Sequence, residues 1–228
     1  MIGHHALAEQ LSDVASKLLG AGEIDATLQR IVELAVATID GCDHAGISSV
    51  VDQHVETLAQ SDHLPRALAE LQNALGEGPC LDAVGERAVF ETGDFSSESR
   101  WPRFCAEVVA RTGVHSALSM RLHDERDTIG ALNLYARTKD AFDDRDRGIA
   151  PIFAAHAAYA LRAAWHHHHL ITAIETRDII GQAKGIIMAR TGTDDAGAFE
   201  ILRDGANRLD CKLRDLAHQI VDHQQQPR

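Results

Sequence analysis

The chain has 228 residues, 45% of them hydrophobic, which is enough for one large domain or two modest ones. Its formal net charge of −12 at pH 7 argues against a protein that binds any polyanion. The charge is uneven, because residues 1–165 hold 14 Lys+Arg against 25 Asp+Glu, whereas residues 166–228 hold 8 against 9. Any nucleic-acid contact is therefore expected as a local patch on the C-terminal part.

The first third of the chain reads as two helices followed by a hairpin. The first predicted helix spans Leu7 to Leu18 and ends near Gly20. Asp25 is the predicted cap of a second helix. The buried face of that helix is predicted to comprise Leu28, Ile31, Ala35 and Ile39. Two strand-like runs follow, Ala45–Val51 and His54–Ala59, and the two residues between them predict a hairpin.

Helical and strand patterns then alternate. Leu64–Leu75 has helical period and ends at the Gly-Glu-Gly-Pro run, since neither glycine nor proline extends a helix cheaply. A short helix is predicted beyond Cys80, a strand over Ala88–Glu91 and an amphipathic helix over Trp101–Thr112.

Two further strands close the predicted sheet. Ser116–Leu122 and Thr128–Ala136 read as antiparallel neighbours joined by the charged turn His123–Asp127. A long helix is predicted from Asp143 through Leu161. This order of elements predicts a mixed α+β domain with an antiparallel sheet flanked by helices.

Several strings between Leu11 and Leu161 resemble the GAF sensory domain, in the version that is fused to ANTAR modules. These strings are Ala45–Ser48, Leu71–Gln72, Gly76–Ala83 (GEGPCLDA), Asp94, Arg100–Pro102, Gly113–Val114 and Ile129–Leu134. The resemblance implies an N-terminal GAF domain, which we expect over residues 1–160. Such domains host many ligands or none, so no cofactor is identified and the GAF ligand is unknown.

Cys80, Trp101 and His115 are the expected lining of a GAF ligand pocket. Cys80 follows Gly-Pro, and GAF-fold enzymes that reduce free methionine sulfoxide carry a cysteine in a comparable context. Those enzymes need further cysteines that converge on the pocket, and Gly113–Ala117, where the partner is expected, contains none. A thiol redox enzyme with a structural helical tail is therefore the alternative hypothesis, and a small buried thiol the preferred interpretation.

The stretch Ile179–Met188, IIGQAKGIIM, has the features of a phosphate-binding helix face. Its apolar stripe is predicted to comprise Ile180, Ala183 and Ile187. Arg177 and Lys184 are seven residues apart on one edge of that stripe, with Gly181 between them and Ala173 one turn upstream. A cationic pair with small residues between its members lets an anionic backbone approach closely. A packed helix with two solvated cations is the alternative interpretation.

The longer string Ala173–Val221 resembles the ANTAR domain, the RNA-binding antitermination module of bacterial regulators. The matching pieces are Ala173, Arg177, Gln182–Gly185, Met188, Ala198–Phe199, Leu202–Arg203, Lys212–Leu213, Asp215 and Ala217. The resemblance implies RNA contacts at Ala173, Arg177, Lys184 and Gly185. Gly181 departs from the family, which usually carries an acid there. Losing the acid favours RNA electrostatically, and a mid-helix glycine costs about 1 kcal/mol of helix stability.

Two more helices complete the predicted C-terminal bundle, over residues 173–228. Thr193 is the predicted cap of the first, whose predicted buried stripe is Phe199, Leu202, Ala206 and Leu209. The second is predicted to bury Leu213, Leu216, Ala217 and Ile220. Lys212 and Arg214 flank the start of this last helix and are candidate members of the RNA-binding patch.

The run His166–His169 lies in a helical His-rich linker, residues 161–172, and is interpreted as solvated rather than as a metal site.

The spacing of the cysteines and the distribution of apolar residues predict the cellular compartment. The four cysteines are Cys42, Cys80, Cys105 and Cys211. They form neither a CxxC pair nor a disulfide framework, which predicts free thiols in a reducing compartment. The N-terminal residues lack the pattern of a signal peptide, and Ile149–Trp165 is interrupted by Pro151 and Arg162. We expect a cytoplasmic protein without a membrane partner.

Three hypotheses for function result. In the first, a non-enzymatic regulator senses a signal through the GAF domain and, by resemblance, binds paired hairpin loops of nascent mRNA. The second is the redox enzyme, and the third is an adaptor that uses the C-terminal bundle only for dimerisation. The first predicts a homodimer held by helices around Asp143–Ile174 and the first GAF helix, with close approach at small residues. Those residues are Ala154, Ala155, Ala157 and Ala158.

Overall fold

The structure is a computed structural model that describes residues 9, 12–18, 23–82, 89–123 and 128–225. The chain divides into two compact units, Met1–Trp165 and His166–Arg228. Among the described residues, no helix is both long and apolar enough to cross a membrane.

The first unit is an antiparallel sheet with helices. The strands are β1 (His44–Val51), β2 (His54–Gln60), β3 (Val89–Thr92), β4 (Ser116–His123) and β5 (Thr128–Ala136). The helices are α1 (residues 12–18), α2 (Ile24–Thr38), α3 (His63–Leu75), α4 (Pro79–Asp82), α5 (Pro102–Thr112) and the start of α6 (Asp144–Thr191). The strand order is β2-β1-β5-β4-β3, and every neighbouring pair is antiparallel. The predicted α+β architecture is confirmed.

The β1–β2 hairpin and α3 follow from local chemistry. Asp52 and Gln53 join the two strands with φ of 49° and 65°, the left-handed pair that a two-residue hairpin turn requires. Helix α3 begins where the Asp62 side chain accepts a hydrogen bond from the Leu64 amide, 2.8 Å away. It ends at Gly76, whose φ of 64° suits a residue without a Cβ. The predicted hairpin and helix are confirmed.

A hydrophobic core cluster packs against each face of the sheet. The larger core cluster combines strand residues such as Leu118 and Leu134 with residues of α2 and α6, including Phe153, which is 0% exposed. A second cluster combines α3 and α5 with the sheet and contains Phe104 and Trp101. Because each strand alternates its side chains between the two faces, the sheet separates the two clusters.

Several expected features of the first unit differ from the structure or fall outside it. Helix α2 begins at Ile24 with Glu23 as its cap residue, so Asp25 lies in the first turn and is not the cap. The helix begins two residues earlier than predicted because the Glu23 carbonyl already accepts a 2.9 Å helical hydrogen bond from the Thr27 amide. Leu7, Gly20, Ala88 and residues 124–127 lie outside the described residues.

Helix α6 is a single helix of 48 residues. Its start is fixed by Asp143, whose side chain accepts a 2.9 Å hydrogen bond from the Asp146 amide. It continues past Leu161 without a break. Three of the four alanines expected at a subunit contact are instead buried in the core of the first unit. These are Ala154, Ala157 and Ala158. Small side chains here allow the helix to lie close to the sheet.

The second unit is a small helical bundle made of the end of α6, α7 (Asp195–Arg208) and α8 (Leu213–Gln225). Its buried core residues are Ala183, Ile187, Ala198, Leu202, Ala217 and Val221. The stripe predicted on the first helix is confirmed, with Ala183 at 0% exposed, Ile187 at 8% and Ile180 packed against them.

Two predictions for α7 are wrong. The cap is Asp194 rather than Thr193, because the Asp194 side chain accepts a 2.8 Å hydrogen bond from the Gly197 amide. Leu209 is 63% exposed, since α7 ends at Arg208 and Leu209 lies beyond the buried stripe. Ala198 takes the buried position that the stripe needs at the start of the helix.

Candidate nucleic-acid interface

An open groove of about 660 Å³ lies on the second unit. Its lining residues are His169, Thr172, Ala173, Thr176, Arg177, Ile180, Gly181, Lys184 and Phe199. All of them belong to α6 except Phe199, which belongs to α7. The α6 residues recur every three or four positions, so they share one face of the helix. We call this feature the α6 groove.

The α6 groove contains three of the six residues expected to contact RNA. Ala173 and Arg177 are exposed, and Lys184 lies further along the same face. Two cations therefore flank a surface of small and apolar side chains. Such a surface can bind the phosphates of a nucleic-acid backbone through the two cations. The small side chains between the cations leave room for the sugars and bases.

The Lys184 side chain is less exposed than the sequence indicated, and it forms an ion pair. Its side chain is 19% exposed, and its Nζ lies 2.6 Å from Oδ1 of Asp195 in the first turn of α7. The expectation that Lys184 lies on an exposed edge is corrected, because α7 covers it and supplies a carboxylate. A phosphate that binds Lys184 must therefore compete with Asp195.

The other three expected RNA contacts lie outside the lining of the α6 groove. Gly185 is exposed on α6, with open space where a Cβ would stand. Lys212 is exposed just before α8, and Arg214 Nε lies 3.6 Å from Asp215 Oδ1. A role for these three residues in binding RNA remains a prediction.

Four lining residues were not expected from the sequence. They are His169, Thr172, Thr176 and Phe199. The spacing His169, Ala173, Arg177, Ile180, Lys184 continues one helical face upstream of the expected module, and that signal could have found His169. Thr172 and Thr176 each precede a residue of this series and lie at the edge of the same face. Phe199 was expected in the core, but it is only partly buried and its ring lines the groove. An aromatic ring in this position can stack on a base.

The three residues expected to line a GAF ligand pocket have separate surroundings. The Trp101 indole donates a 2.7 Å hydrogen bond to Asp82 Oδ2. Cys80 belongs to a different core cluster, and its Sγ lies 3.7 Å from Ser48 Oγ. His115 Nδ1 lies 3.6 Å from Asp94 Oδ1. Their role in ligand binding remains a prediction.

Buried polar side chains meet beside Cys80. Ser48, Gln72 and Asn133 lie in strings that resemble the GAF domain, but they were not predicted as site residues. The Asn133 side-chain amide donates a 2.8 Å hydrogen bond to Ser48 Oγ, and the Cys80 amide donates one of 2.8 Å to Gln72 Oε1. Ser119 faces Asn133 across the β4–β5 ladder and is also buried. These groups come from β1, β4, β5, α3 and α4, so only the fold brings them together.

The thiols of the first unit are poorly suited to nucleophilic chemistry. Burial raises the pKa of Cys80, raises that of Cys105 to about 11 and raises that of Cys42 to about 12. The reactive species is the thiolate, so a raised pKa leaves almost none of it near neutral pH. Cys211 is the one cysteine that is only partly buried.

Alkylation of the native protein with iodoacetamide at pH 8 should therefore modify Cys211 first. A pKa of about 11 instead of 9.0 lowers the thiolate fraction of Cys105 about 100-fold, and burial slows its reaction further. Peptide mass spectrometry after timed quenching measures each rate, and the same reaction in urea should modify all four cysteines at similar rates. Rapid native alkylation of Cys80 would contradict this and support the redox enzyme.

Within the described part of the chain, no group of three or more His, Cys, Asp or Glu side chains is placed to hold a metal ion. The run His166–His169 is exposed along α6.

Family comparisons agree with this division into two units. The GAF domain profile matches residues 21–162, and the ANTAR domain profile matches residues 168–221. The GAF match covers more than half of the chain, so the chain belongs to the GAF domain family, and it carries a C-terminal ANTAR domain. No curated protein sequence matches the chain. The two domains together support an RNA-binding antitermination regulator with a sensory GAF domain.

Solved structures share the fold at low identity. A bacteriophytochrome from the photosynthetic bacterium R. palustris has a TM-score of 0.60 at 10% identity, covering 87% of this chain and 46% of that chain. A Stigmatella aurantiaca phytochrome photosensory core has a TM-score of 0.59 at 14% identity, covering 87% of this chain and 44% of that chain. The GAF domain of an Acinetobacter phosphoenolpyruvate-protein phosphotransferase has a TM-score of 0.55 at 14% identity, covering 72% of this chain and 98% of that chain. The chain spans less than half of the two phytochrome structures, and these likenesses show the fold alone.

Proposed function

We propose that this chain is a cytoplasmic transcription antitermination regulator that binds paired hairpin loops of nascent mRNA. In this proposal, residues 1–160 sense a signal, residues 161–172 link the domains, and residues 173–228 bind RNA. The observation that carries it is the α6 groove, because Ala173, Arg177 and Lys184 meet there within the match to the ANTAR domain. Hairpin loops are suitable targets since they present splayed bases and closely spaced phosphates.

Charge distribution supports RNA binding by the second unit rather than the first. Residues 1–165 have a net charge of 14 − 25 = −11, and residues 166–228 have 8 − 9 = −1. The acidic first unit repels polyanions, which discourages binding outside the α6 groove. Recognition then depends on a small number of local contacts, as expected for a binder that selects particular loops.

The same proposal makes the protein a non-enzymatic sensor. The thiols of the first unit are buried and have raised pKa values, as described above. Asn133 and Ser48 are buried and hydrogen-bond to each other beside Cys80, so the interior of this unit holds paired polar groups rather than a free nucleophile. A small-molecule signal for the first unit is part of the proposal because the chain belongs to the GAF domain family.

A homodimer is the proposed assembly. Both units carry exposed apolar side chains on α6, and water contact with such a set is unfavourable. In the first unit these are Ile152 and Tyr159, with Tyr159 67% exposed; in the second they are Leu170, Ile171 and Ile174, with Ile174 57% exposed. The buried alanines of the first unit do not contribute, so the contact uses these larger side chains. A twofold protein also suits a target with two hairpins.

A gel-shift experiment tests the proposed function with the full-length chain. An RNA pool with two hairpins and randomised loops is enriched for binders, and the best binder is compared with the same RNA after one loop is scrambled. We expect the scrambled RNA to bind at least tenfold more weakly, and light scattering to give about twice the 24.8 kDa chain mass. Failure to enrich any RNA would overturn the proposed function, and a monomer that binds both RNAs equally would overturn the paired-loop assembly.

A further inference from the structure

We infer that the first unit binds a small carboxylate on the side of its sheet that faces α3 and α4, with Arg121 as the residue that receives the negative charge. This inference rests on the small-molecule signal in the proposed function and gives that signal a chemical class. It is carried by three buried polar groups without partners, by their positions on the sheet and by an opening at Ala131 in the central strand.

Three side-chain groups that can donate hydrogen bonds are buried without a partner in the described part of the chain. They are Gln72 Nε2, Ser119 Oγ and Arg121 Nε. Gln72 is 0% exposed and Ser119 is 6% exposed. Buried polar groups of folded proteins almost always have a partner, because an unpaired one costs free energy. Three such groups in one region therefore indicate a partner that comes from outside the chain.

Ser119 and Arg121 project from the same face of the sheet. Leu118, Met120 and Leu122 of β4 belong to the larger core cluster, which includes α2 and α6. Because side chains alternate along a strand, the two residues between them project to the opposite face. Arg121 is only partly exposed, and its Nε is buried. A cation is therefore held against this face of the sheet.

The sheet is open beside these two residues, at Ala131. Arg121 lies directly opposite Ala131 in the β4–β5 ladder, and Ser119 lies opposite Asn133, the next residue on the same face of β5. The Cβ atoms of residues opposite each other are about 5 Å apart. Strand β5 is the central strand of five, yet Ala131 is only partly buried. The described helices therefore leave space above Ala131, next to both donors.

Gln72 brings the third donor from α3. Its Oε1 accepts a 2.8 Å hydrogen bond from the Cys80 amide, which orients the side-chain amide and leaves Nε2 unpaired. Cys80 Sγ lies 3.7 Å from Ser48 Oγ, and Ser48 lies opposite Ala131 in the β1–β5 ladder. Gln72 is therefore on the β1 side of Ala131, whereas Arg121 is on its β4 side.

The unpaired donors suit a carboxylate. The Nε of an arginine and the amide nitrogen of a glutamine only donate, and a serine hydroxyl can donate as well. A carboxylate accepts several hydrogen bonds, donates none, and forms strong charge-assisted bonds with a guanidinium. A phosphate group carries up to about two negative charges, which one arginine does not neutralise. One positive charge and three donors therefore match a single carboxylate, and the small Ala131 side chain leaves room for the rest of the molecule.

Arg121→Met should leave the thermal midpoint of the full-length chain unchanged or higher when no carboxylate is added. The substitution removes an unpaired buried donor and keeps an unbranched side chain in its place. Arg137→Met is the matched control. It changes the net charge equally but removes a 3.2 Å hydrogen bond from Nη1 to the Thr112 carbonyl, so its midpoint should not rise.

Titration calorimetry measures the binding of acetate, isobutyrate and benzoate, each compared with the primary amide of the same shape. We expect at least one of these carboxylates to bind the wild type at least tenfold more tightly than its amide, because the amide lacks the charge. Arg121→Met should bind that carboxylate at least tenfold more weakly, and Ser119→Ala should also bind it more weakly. Arg137→Met should bind it like the wild type, and inorganic phosphate should bind no more tightly than the amides.

The carboxylate site is overturned if the wild type binds none of the three carboxylates, if Arg121→Met binds them equally well, or if phosphate is preferred. A lower thermal midpoint of Arg121→Met would also overturn it, since the guanidinium would then stabilise the fold. The RNA gel shift gives a separate result, because Arg121 belongs to the first unit. A wild type that binds a carboxylate but enriches no RNA would overturn the antitermination function and leave this site standing.

Discussion

Replacing Arg177 with Glu should weaken binding of the two-hairpin RNA roughly 100-fold and leave folding intact. The guanidinium is exposed in the α6 groove, so its loss removes a charge-assisted hydrogen bond, worth about 1.5–3 kcal/mol, and the new carboxylate repels phosphate. Gel shift at fixed salt measures the affinity, and circular dichroism with thermal melting checks the fold. The salt slope should also fall by about one per subunit.

Arg208→Glu is the matched control for that substitution. Arg208 is exposed on α7 and is not a lining residue of the α6 groove, yet its reversal changes the net charge of the chain equally. Equal losses of affinity in the two variants would mean that only the overall charge matters. Lys184→Glu is a poorer test. It would replace the ammonium that lies 2.6 Å from Asp195 with a second carboxylate, and the repulsion would destabilise the contact between α6 and α7.

Phe153→Ala should lower the stability of the first unit by about 3–5 kcal/mol, because truncating a fully buried aromatic ring leaves a cavity in the core. Trp101 is buried in the first unit, and the other tryptophan, Trp165, lies on α6 at the end of that unit. With Trp165 replaced by Phe in both proteins, tryptophan fluorescence during urea unfolding follows the first unit through Trp101. The midpoint should shift to lower urea. Leu58→Ala, at a side chain 37% exposed on β2, should cost under about 1 kcal/mol.

A loss of similar size in Leu58→Ala would contradict the position of the core. It would mean that the outer side of β2 is covered in solution. An unchanged midpoint in Phe153→Ala would show that α6 does not close the larger core cluster in the way described above.

The regular elements were predictable because their signals are local. The Asp52–Gln53 turn, the glycine that ends α3 and the apolar stripe of Ile180, Ala183 and Ile187 each depend on residues within a few positions of one another. Backbone geometry and side-chain period then decide the outcome. The resemblance to GAF and ANTAR domains added the order of the units, which the family profiles match.

The errors arose where a second element decides the environment of a residue. Lys184 has the spacing of an exposed cation, but α7 brings Asp195 to it. Phe199 has the spacing of a core residue, but its ring borders the α6 groove. The caps at Glu23 and Asp194 were misplaced because several adjacent polar residues could fill the role. At Asp194 a side-chain hydrogen bond decides the cap, whereas Glu23 makes no such bond and is the cap only because its backbone is extended.

The ion pair between Lys184 and Asp195 has a thermodynamic consequence for how RNA enters. If four cations per subunit each neutralise a phosphate, the slope of log affinity against log salt concentration is about −3 on single strands. At Lys184, however, the arriving phosphate displaces a carboxylate that belongs to the protein, and the released carboxylate attracts a cation from solution. That uptake offsets one of the ions set free from the RNA, and the slope moves toward about −2. The second unit thus exchanges its own counterion for RNA, which makes its affinity less sensitive to the ionic strength around it.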